Sequence, residues 1–125
     1  MSKGEQNVAL PLAGLVMVEL GSSVAAPFGA QVFADLGATV LKVETKQGGD
    51  DARSWGPPFW HGAGAAFQTL NRNKLSAALD LKNAAERDAL VRSITERADG
   101  VLQNMRPGLA DKRGLAAQTL RAAKP

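Results

Sequence analysis

Two strand-like runs with a helix-forming stretch between them constrain the fold of this chain more than any other feature. Residues 15–20 and residues 39–44 are short and rich in β-branched side chains, as buried strands are. Between them, Pro27 suits the first position of a helix and Gly37 suits the position just after its end. This order predicts a right-handed βαβ unit, and therefore a parallel sheet covered by helices.

The rest of the chain continues the alternation of strands and helices. A third strand is expected at residues 76–81, and a helix at residues 84–98 with Asn83 as its cap and Glu86 at the capping-box position. A fourth short strand is expected around residues 101–102. We therefore predict an α/β fold with a Rossmann-like open parallel sheet, in one domain that spans residues 1–125.

The first helix is apolar around most of its circumference. Phe28, Val32 and Leu36 follow one another at four-residue spacing, with Ala30 and Ala34 beside them. A helix without a polar face is typical of the interior of a protein. We therefore expect this helix to be buried.

Composition argues against several classes of protein. The chain has no Cys and one His, so a disulfide framework is impossible and no metal ligand is assigned. Its formal net charge is +3, but the Lys and Arg residues are interleaved with carboxylates, which does not favour nucleic acid. No apolar run approaches the roughly 20 residues of a membrane-spanning helix. We expect a cytoplasmic protein without a membrane or nucleic-acid partner.

Three segments have the chemistry to bind a phosphorylated ligand. The junction around Val24 and Ala25 would present backbone N–H groups at the start of a helix. The polar run at residues 71–74 and the Pro-Gly turn at residues 104–108, followed by Lys112, supply amides and cations. Each of the three is also compatible with an ordinary structural or solvated turn.

The long loop expected at residues 45–64 contains further groups that could take part in chemistry. His61 is a possible general base, and the adjacent Asp50 and Asp51 could position or accept a proton. A lone His in a loop and paired carboxylates in a Gly-rich loop are more often simply solvated. We therefore assign no catalytic role to these three residues.

Five segments, in the same order and at compatible spacings, resemble the class III CoA-transferase family, also called the CaiB/BaiF family. The resemblance covers most of the chain and implies the N-terminal portion of such an enzyme, with coenzyme A or acyl-CoA as substrate and no tightly bound cofactor. The segments are residues 34–38 with 42–44, then 48–50, 71–74, 79–82 and 104–108.

The resemblance also implies which residues contact CoA. Relatives commonly have Arg where this chain has Thr45, with Lys46 as a possible substitute, and Arg near the position of Lys112. Loss of these bidentate guanidinium contacts would weaken phosphate binding. The implied contacts are Val24, Ala25, Thr45, Lys46, Asn71, Arg72, Asn73, Lys74, Asn104, Met105, Arg106 and Lys112.

The reaction implied by the resemblance is transfer of CoA between an acyl-CoA thioester and a carboxylic acid through attack by an aspartate. That aspartate is expected beyond Pro125, so no catalytic residue is expected within this truncated segment. A homodimer or a complementing catalytic chain is the expected partner. The alternatives are an acyl-CoA racemase-type relative, a non-catalytic CoA- or nucleotide-binding module, and an inactive fragment.

Overall fold

A parallel four-stranded sheet forms the centre of residues 9–125, which are the residues that the computed structural model describes. The strands are β1 (Val16–Glu19), β2 (Thr39–Thr45), β3 (Phe59–Trp60), β4 (Ala63–Gly64), β5 (Leu75–Leu79) and β6 (Gly100–Leu102). The order across the main sheet is β5-β2-β1-β6, and β3 and β4 form a separate antiparallel pair. The predicted α/β fold with a parallel sheet is confirmed. The first eight residues of the predicted domain lie outside the described part.

Helices cover both faces of the sheet. They are α1 (Ala25–Asp35), α2 (Ala65–Leu70), α3 (Ala84–Arg97), α4 (Leu109–Lys112) and α5 (Ala117–Ala123), with a short 3-10 helix at Asp51–Ser54. The loop expected at residues 45–64 therefore contains local structure. Among residues 9–125, none of the helices is long and apolar enough to cross a membrane.

The two faces of the sheet have different chemistry because side chains alternate along each strand. One face packs Val18 and Val43 against Leu90 and Ile94 of α3 in an apolar core. The other face begins as an apolar layer around Val40 against α1. Towards the carboxyl ends of the strands it becomes charged, since Glu19 and Lys42 are paired neighbours there and both are buried.

The expectation that α1 is buried on all sides is wrong. Its large side chains Phe28, Val32 and Leu36 are 57%, 44% and 40% exposed, whereas Ala30 and Ala34 are buried against the sheet. Small residues on the inner face let the helix lie close to the strands, so the bulky residues at four-residue spacing point outward.

The cap of α3 agrees with the sequence-based prediction. Asn83 is the N-cap, and its Oδ1 accepts a hydrogen bond from the Glu86 backbone N–H at 3.1 Å. The Glu86 side chain does not return to Asn83 as a capping box would. It accepts from the Asp80 N–H at 2.9 Å and lies 2.6 Å from the ammonium of Lys46.

Replacing Asn83 with Ala is expected to lower the free energy of unfolding by about 1 kcal/mol, because one N–H at the start of α3 loses its acceptor. Urea denaturation monitored by circular dichroism measures the change. Gln118→Ala, an exposed site on α5, is the matched control and should stay within about 0.5 kcal/mol of the parent chain. Equal stabilities of the two variants would contradict the capping role.

Candidate functional site

An open cleft of about 680 Å³ lies at the carboxyl ends of the four parallel strands. The end of β2 and the segments that follow the other three strands line it. They are Glu44 and Thr45 of β2, residues 21–23 after β1, residues 80–82 after β5, and residues 104–106 after β6. The helix that follows β1 covers one face of the sheet and the helix that follows β5 covers the other. The cleft therefore opens where the topology of a parallel sheet places ligand sites.

The loop that follows β1 is held by side chains from other parts of the chain. Asn104 accepts from the Ser22 N–H at 3.1 Å through Oδ1, and its Nδ2 donates to the Ser22 carbonyl at 2.9 Å. Asp50 Oδ1 accepts from the Ser23 N–H at 2.9 Å. Gly21 fits because a Cβ there would collide with Ala26 and lie 2.6 Å from Asn104 Oδ1. Asn104 thus fixes the wall of the cleft as well as lining it.

The start of α1 is the part of this junction suited to an anion. Ser22 and Ser23 have already given their N–H groups to side chains, but Val24, the N-cap, makes no side-chain capping bond. The first-turn N–H groups of Ala25 and Ala26 have no acceptor within the helix, and no acidic residue lies in that turn. The favourable end of the helix dipole is thus uncompensated at the predicted Val24–Ala25 position.

Three cations line the cleft, namely Lys82, Arg106 and Arg113. Among residues 9–125, no carboxylate lies within ion-pair distance of any of them. The predicted Arg106 is brought to the site, whereas Arg113 takes the place that was expected for Lys112. Each residue of a helix is rotated by about 100° from the last, so the neighbouring side chains at positions 112 and 113, at the end of α4, point in different directions.

Thr45 and Lys46, at the end of β2, are placed differently. Thr45 lines the cleft and donates from Oγ1 to Gln47 Oε1 at 2.9 Å. Lys46 lies outside the lining, with its ammonium 2.6 Å from Glu86 Oε1. The hydrogen bond from Lys46 lowers the pKa of Glu86, and this pairing leaves Lys46 engaged with α3 in the structure.

The predicted turn at residues 71–74 is not part of the cleft lining. Asn71 Nδ2 donates to the Phe67 carbonyl at 2.9 Å and closes the end of α2. Arg72 and Asn73 both bind Asp35, at 2.6 Å and 2.9 Å, and the pKa of Asp35 is lowered chiefly by Arg72. These contacts join the turn to α1, which favours the structural interpretation of the turn.

Lys74 lies inside the protein, with its side chain only 2% exposed. Its ammonium donates to Glu19 Oε2 at 2.8 Å, the Pro27 carbonyl at 2.7 Å and Asn71 Oδ1 at 2.9 Å, so all three N–H donors are used. Burial lowers the pKa of Lys74, and the hydrogen bond to Glu19 opposes that shift. Lys74, which the resemblance implies as a CoA contact, is therefore engaged inside the protein and does not line the cleft.

A buried ion network extends from Lys74 beneath the cleft. Glu19 lies 2.8 Å from both Lys74 and Lys42, and Lys42 lies 2.8 Å from Asp50 Oδ2. The last contact is an ion pair outside hydrogen-bond geometry, so this oxygen has no hydrogen-bond donor in the described part of the chain. Two carboxylates thus balance two ammonium groups.

A second ion pair, which is partly buried, fixes the Gly-rich loop. Arg53 donates to both oxygens of Glu44, at 2.7 Å and 2.8 Å, and its guanidinium stacks 4.0 Å above the Phe67 ring. Glu44 also accepts from the Asp50 N–H and the Ser76 hydroxyl. Burial acts to raise the pKa of Glu44, but these donors outweigh it and lower the pKa to about 2.

Sequence reasoning left these ion networks unrecognised. The signal was available, because Lys42 interrupts an apolar strand and Glu19 ends another, where a charge is costly without a partner. His61 is exposed and its ring lies 4.8 Å from that of Trp60. The described residues hold no group of three or more His, Asp or Glu side chains arranged for a metal ion.

Comparisons with known proteins agree with this architecture. The chain is 44% identical to the succinate–glutarate CoA-transferase of Agrobacterium fabrum, covering 92% of this chain and 30% of that protein. It is 40% identical to the succinyl-CoA–D-citramalate CoA-transferase of Chloroflexus aurantiacus, covering 96% and 30%. A crystal structure of a CaiB/BaiF family protein from Brucella suis superposes with a TM-score of 0.87 at 41% identity, covering 94% and 32%.

The family model described as CoA-transferase family III matches residues 12–125. Since that match covers most of the sequence, the chain belongs to CoA-transferase family III, and the predicted resemblance is confirmed. The chain spans about 30% of the length of the curated relatives it matches.

Proposed function

We propose that this chain forms the CoA-binding part of a cytoplasmic CoA-transferase. The observation that carries the proposal is the cleft at the carboxyl ends of the parallel strands, which is lined by residues 21–23, directly before the uncapped start of α1, and by three cations without carboxylate partners. CoA has a 3′-phosphate and a pyrophosphate that need such donors. Its pantetheine arm needs a partly apolar channel, for which Leu79, Leu81 and Met105 are available.

The proposed contacts are a revised set of the residues expected from the sequence. Thr45, Asn104, Met105 and Arg106 remain in it as lining residues, and Lys82 and Arg113 are added. Val24 and Ala25 remain because they directly follow the lining residues 21–23 and form the uncapped start of α1. The turn at residues 71–74 is proposed to stabilise the fold, because its side chains are engaged with α1, α2 and Glu19. Lys46 and Lys112 lie outside the cleft lining and are left out of the revised set.

The proposed reaction transfers CoA from an acyl-CoA to a carboxylic acid. A carboxylate attacks the thioester carbonyl, the C–S bond breaks, and CoA leaves as thiolate, which gives an acyl-enzyme anhydride. The thiolate then attacks the enzyme carbonyl of that anhydride, so the donor acid leaves and an enzyme–CoA thioester forms. The acceptor carboxylate displaces CoA thiolate from this thioester to give a second anhydride, and the thiolate attacks its acceptor carbonyl, which forms the new acyl-CoA and frees the enzyme carboxylate. We assign that carboxylate to the portion of the relatives that this chain does not match, supplied by a complementing chain. The names of both curated relatives favour the transferase over the racemase alternative.

Replacing Arg106 with Ala is expected to weaken CoA binding about tenfold, which corresponds to about 1.4 kcal/mol, because one charge-assisted phosphate contact is lost. Isothermal titration calorimetry with CoA at two salt concentrations measures the affinity and its salt dependence, which should become shallower in the variant.

Arg92→Ala, an exposed Arg on α3, is the matched control and should bind CoA as the parent chain does. Equal affinities of the two variants would place Arg106 in solvent. A parent chain that gives no heat with CoA, together with no thermal shift, would overturn the proposed function.

A further inference from the structure

We infer that Asp50, together with Lys42, positions the loop at residues 21–23 to receive CoA, an inference that rests on the proposed function. The loop forms the wall of the cleft between the end of β1 and the start of α1. Its conformation is decided by a buried charge pair, Lys42 and Asp50, from other parts of the chain.

The loop is closed into a ring by that charge pair. Lys42 donates to the Gly21 carbonyl at 3.2 Å and lies 2.8 Å from Asp50, whose other oxygen accepts from the Ser23 N–H at 2.9 Å. The two members of one ion pair therefore bind the two ends of the three-residue segment, Lys42 at Gly21 and Asp50 at Ser23. Neither charge reaches solvent, since both side chains are 1% exposed.

Ser23 needs this support because of its backbone conformation. Its φ is +66°, in the left-handed region that a residue with a Cβ adopts at a cost. The hydrogen bond from its N–H to Asp50 holds that conformation. Because Val24 follows as the N-cap of α1, the angle at Ser23 also decides where the first N–H groups of α1 point.

Asp50 is itself held firmly enough to act as a support. Its Oδ1 also accepts from the Ala52 N–H at 2.9 Å, which caps the 3-10 helix, and its own N–H donates to Glu44 at 3.0 Å. Glu44 in turn is gripped by Arg53. The segment at residues 48–50 is therefore held rigidly. Asp50 acts on the ligand by holding the loop at residues 21–23, so it is a positioning residue.

The test compares Asp50→Ala and Asp50→Asn in the intact chain. We expect Asp50→Ala to raise the amide hydrogen exchange rate of Ser23, followed by NMR, and to weaken CoA binding about tenfold. Asp50→Asn keeps an acceptor oxygen and should restore part of the slow Ser23 exchange and part of the CoA affinity. If Asp50 contributed only to global stability, exchange and affinity would change only as far as the unfolding midpoint changes.

Two controls make the result specific. Asp51→Asn removes the neighbouring exposed carboxylate and should leave Ser23 exchange unchanged. Leu90→Ala lowers stability from the opposite face of the sheet. Exchange and affinity in Asp50→Ala no different from those in Leu90→Ala would overturn the positioning role. Should Asp50→Ala fail to fold, Asp50→Asn decides, and equality with Asp51→Asn overturns it.

The inference and the proposed function fail in different ways. A parent chain that binds CoA, with Asp50 variants that bind it equally well, overturns the positioning role alone. A parent chain that binds no CoA overturns the proposed function, and with it the assignment of CoA as the ligand that the loop receives.

Discussion

Replacing Glu19 with Gln is expected to lower the free energy of unfolding by about 3–5 kcal/mol, because it leaves buried ammonium groups without enough negative charge. Glu19 is fully buried between Lys42 and Lys74, each 2.8 Å away. After the substitution, Asp50 is the one carboxylate left in this network for two cations. Such a loss is a large part of the stability of a domain of this size.

Urea denaturation at neutral pH measures this change through the midpoint and slope of the transition. Glu96→Gln, an exposed carboxylate on α3, is the matched control and should change stability by less than about 0.5 kcal/mol. A loss below about 1 kcal/mol in Glu19→Gln would mean that the network is no stronger than a surface ion pair.

Acid is expected to destabilise the protein through Glu44. Its pKa is about 2 in the folded chain against an ordinary 4.5, so its stabilising effect is complete above about pH 4.5 and is lost as the pH falls towards 2. The difference corresponds to at most about 3 kcal/mol, since Arg53 is 38% exposed and water screens the pair.

Comparing the parent chain with Glu44→Gln across this pH range isolates the contribution. The variant should be less stable than the parent at pH 7, and the gap should close as the pH approaches 2. A gap that stays constant from pH 7 to pH 2 would contradict the assignment, because a packing defect does not depend on protonation. Glu96→Gln again serves as the control.

The strands and helices could be predicted because local signals determine them. Pro27 lies in the first turn of α1 and Gly37 lies just after its end, and Asn83 caps α3 as its position suggests. A parallel sheet places the loops after its strands at one edge, and the loops at residues 21–23 and 104–106 do lie side by side there.

The direction and partners of charged side chains could not be predicted in the same way, because these depend on packing between distant segments. Lys74 has the sequence context of a surface cation, but it meets Glu19 from 55 residues away. Arg113 lines the cleft, whereas its neighbour Lys112, which the resemblance implied, does not. The outward direction of Phe28 depends on how closely the alanines of α1 approach the sheet.

The charge balance beneath the cleft limits how the chain can be redesigned. The charges of this network sum to zero, with two carboxylates, Glu19 and Asp50, and two ammonium groups, Lys42 and Lys74. Neutralising one of the four leaves a buried charge without its partner, whereas removing an acid together with its base preserves neutrality. Buried ion pairs exchanged for apolar residues of similar volume often leave stability intact or improve it. The route to a more stable scaffold is therefore a double substitution that replaces an acid and its base together with apolar residues. Glu19 and Lys74 are the pair to replace, because the Lys42–Asp50 ion pair then stays in place.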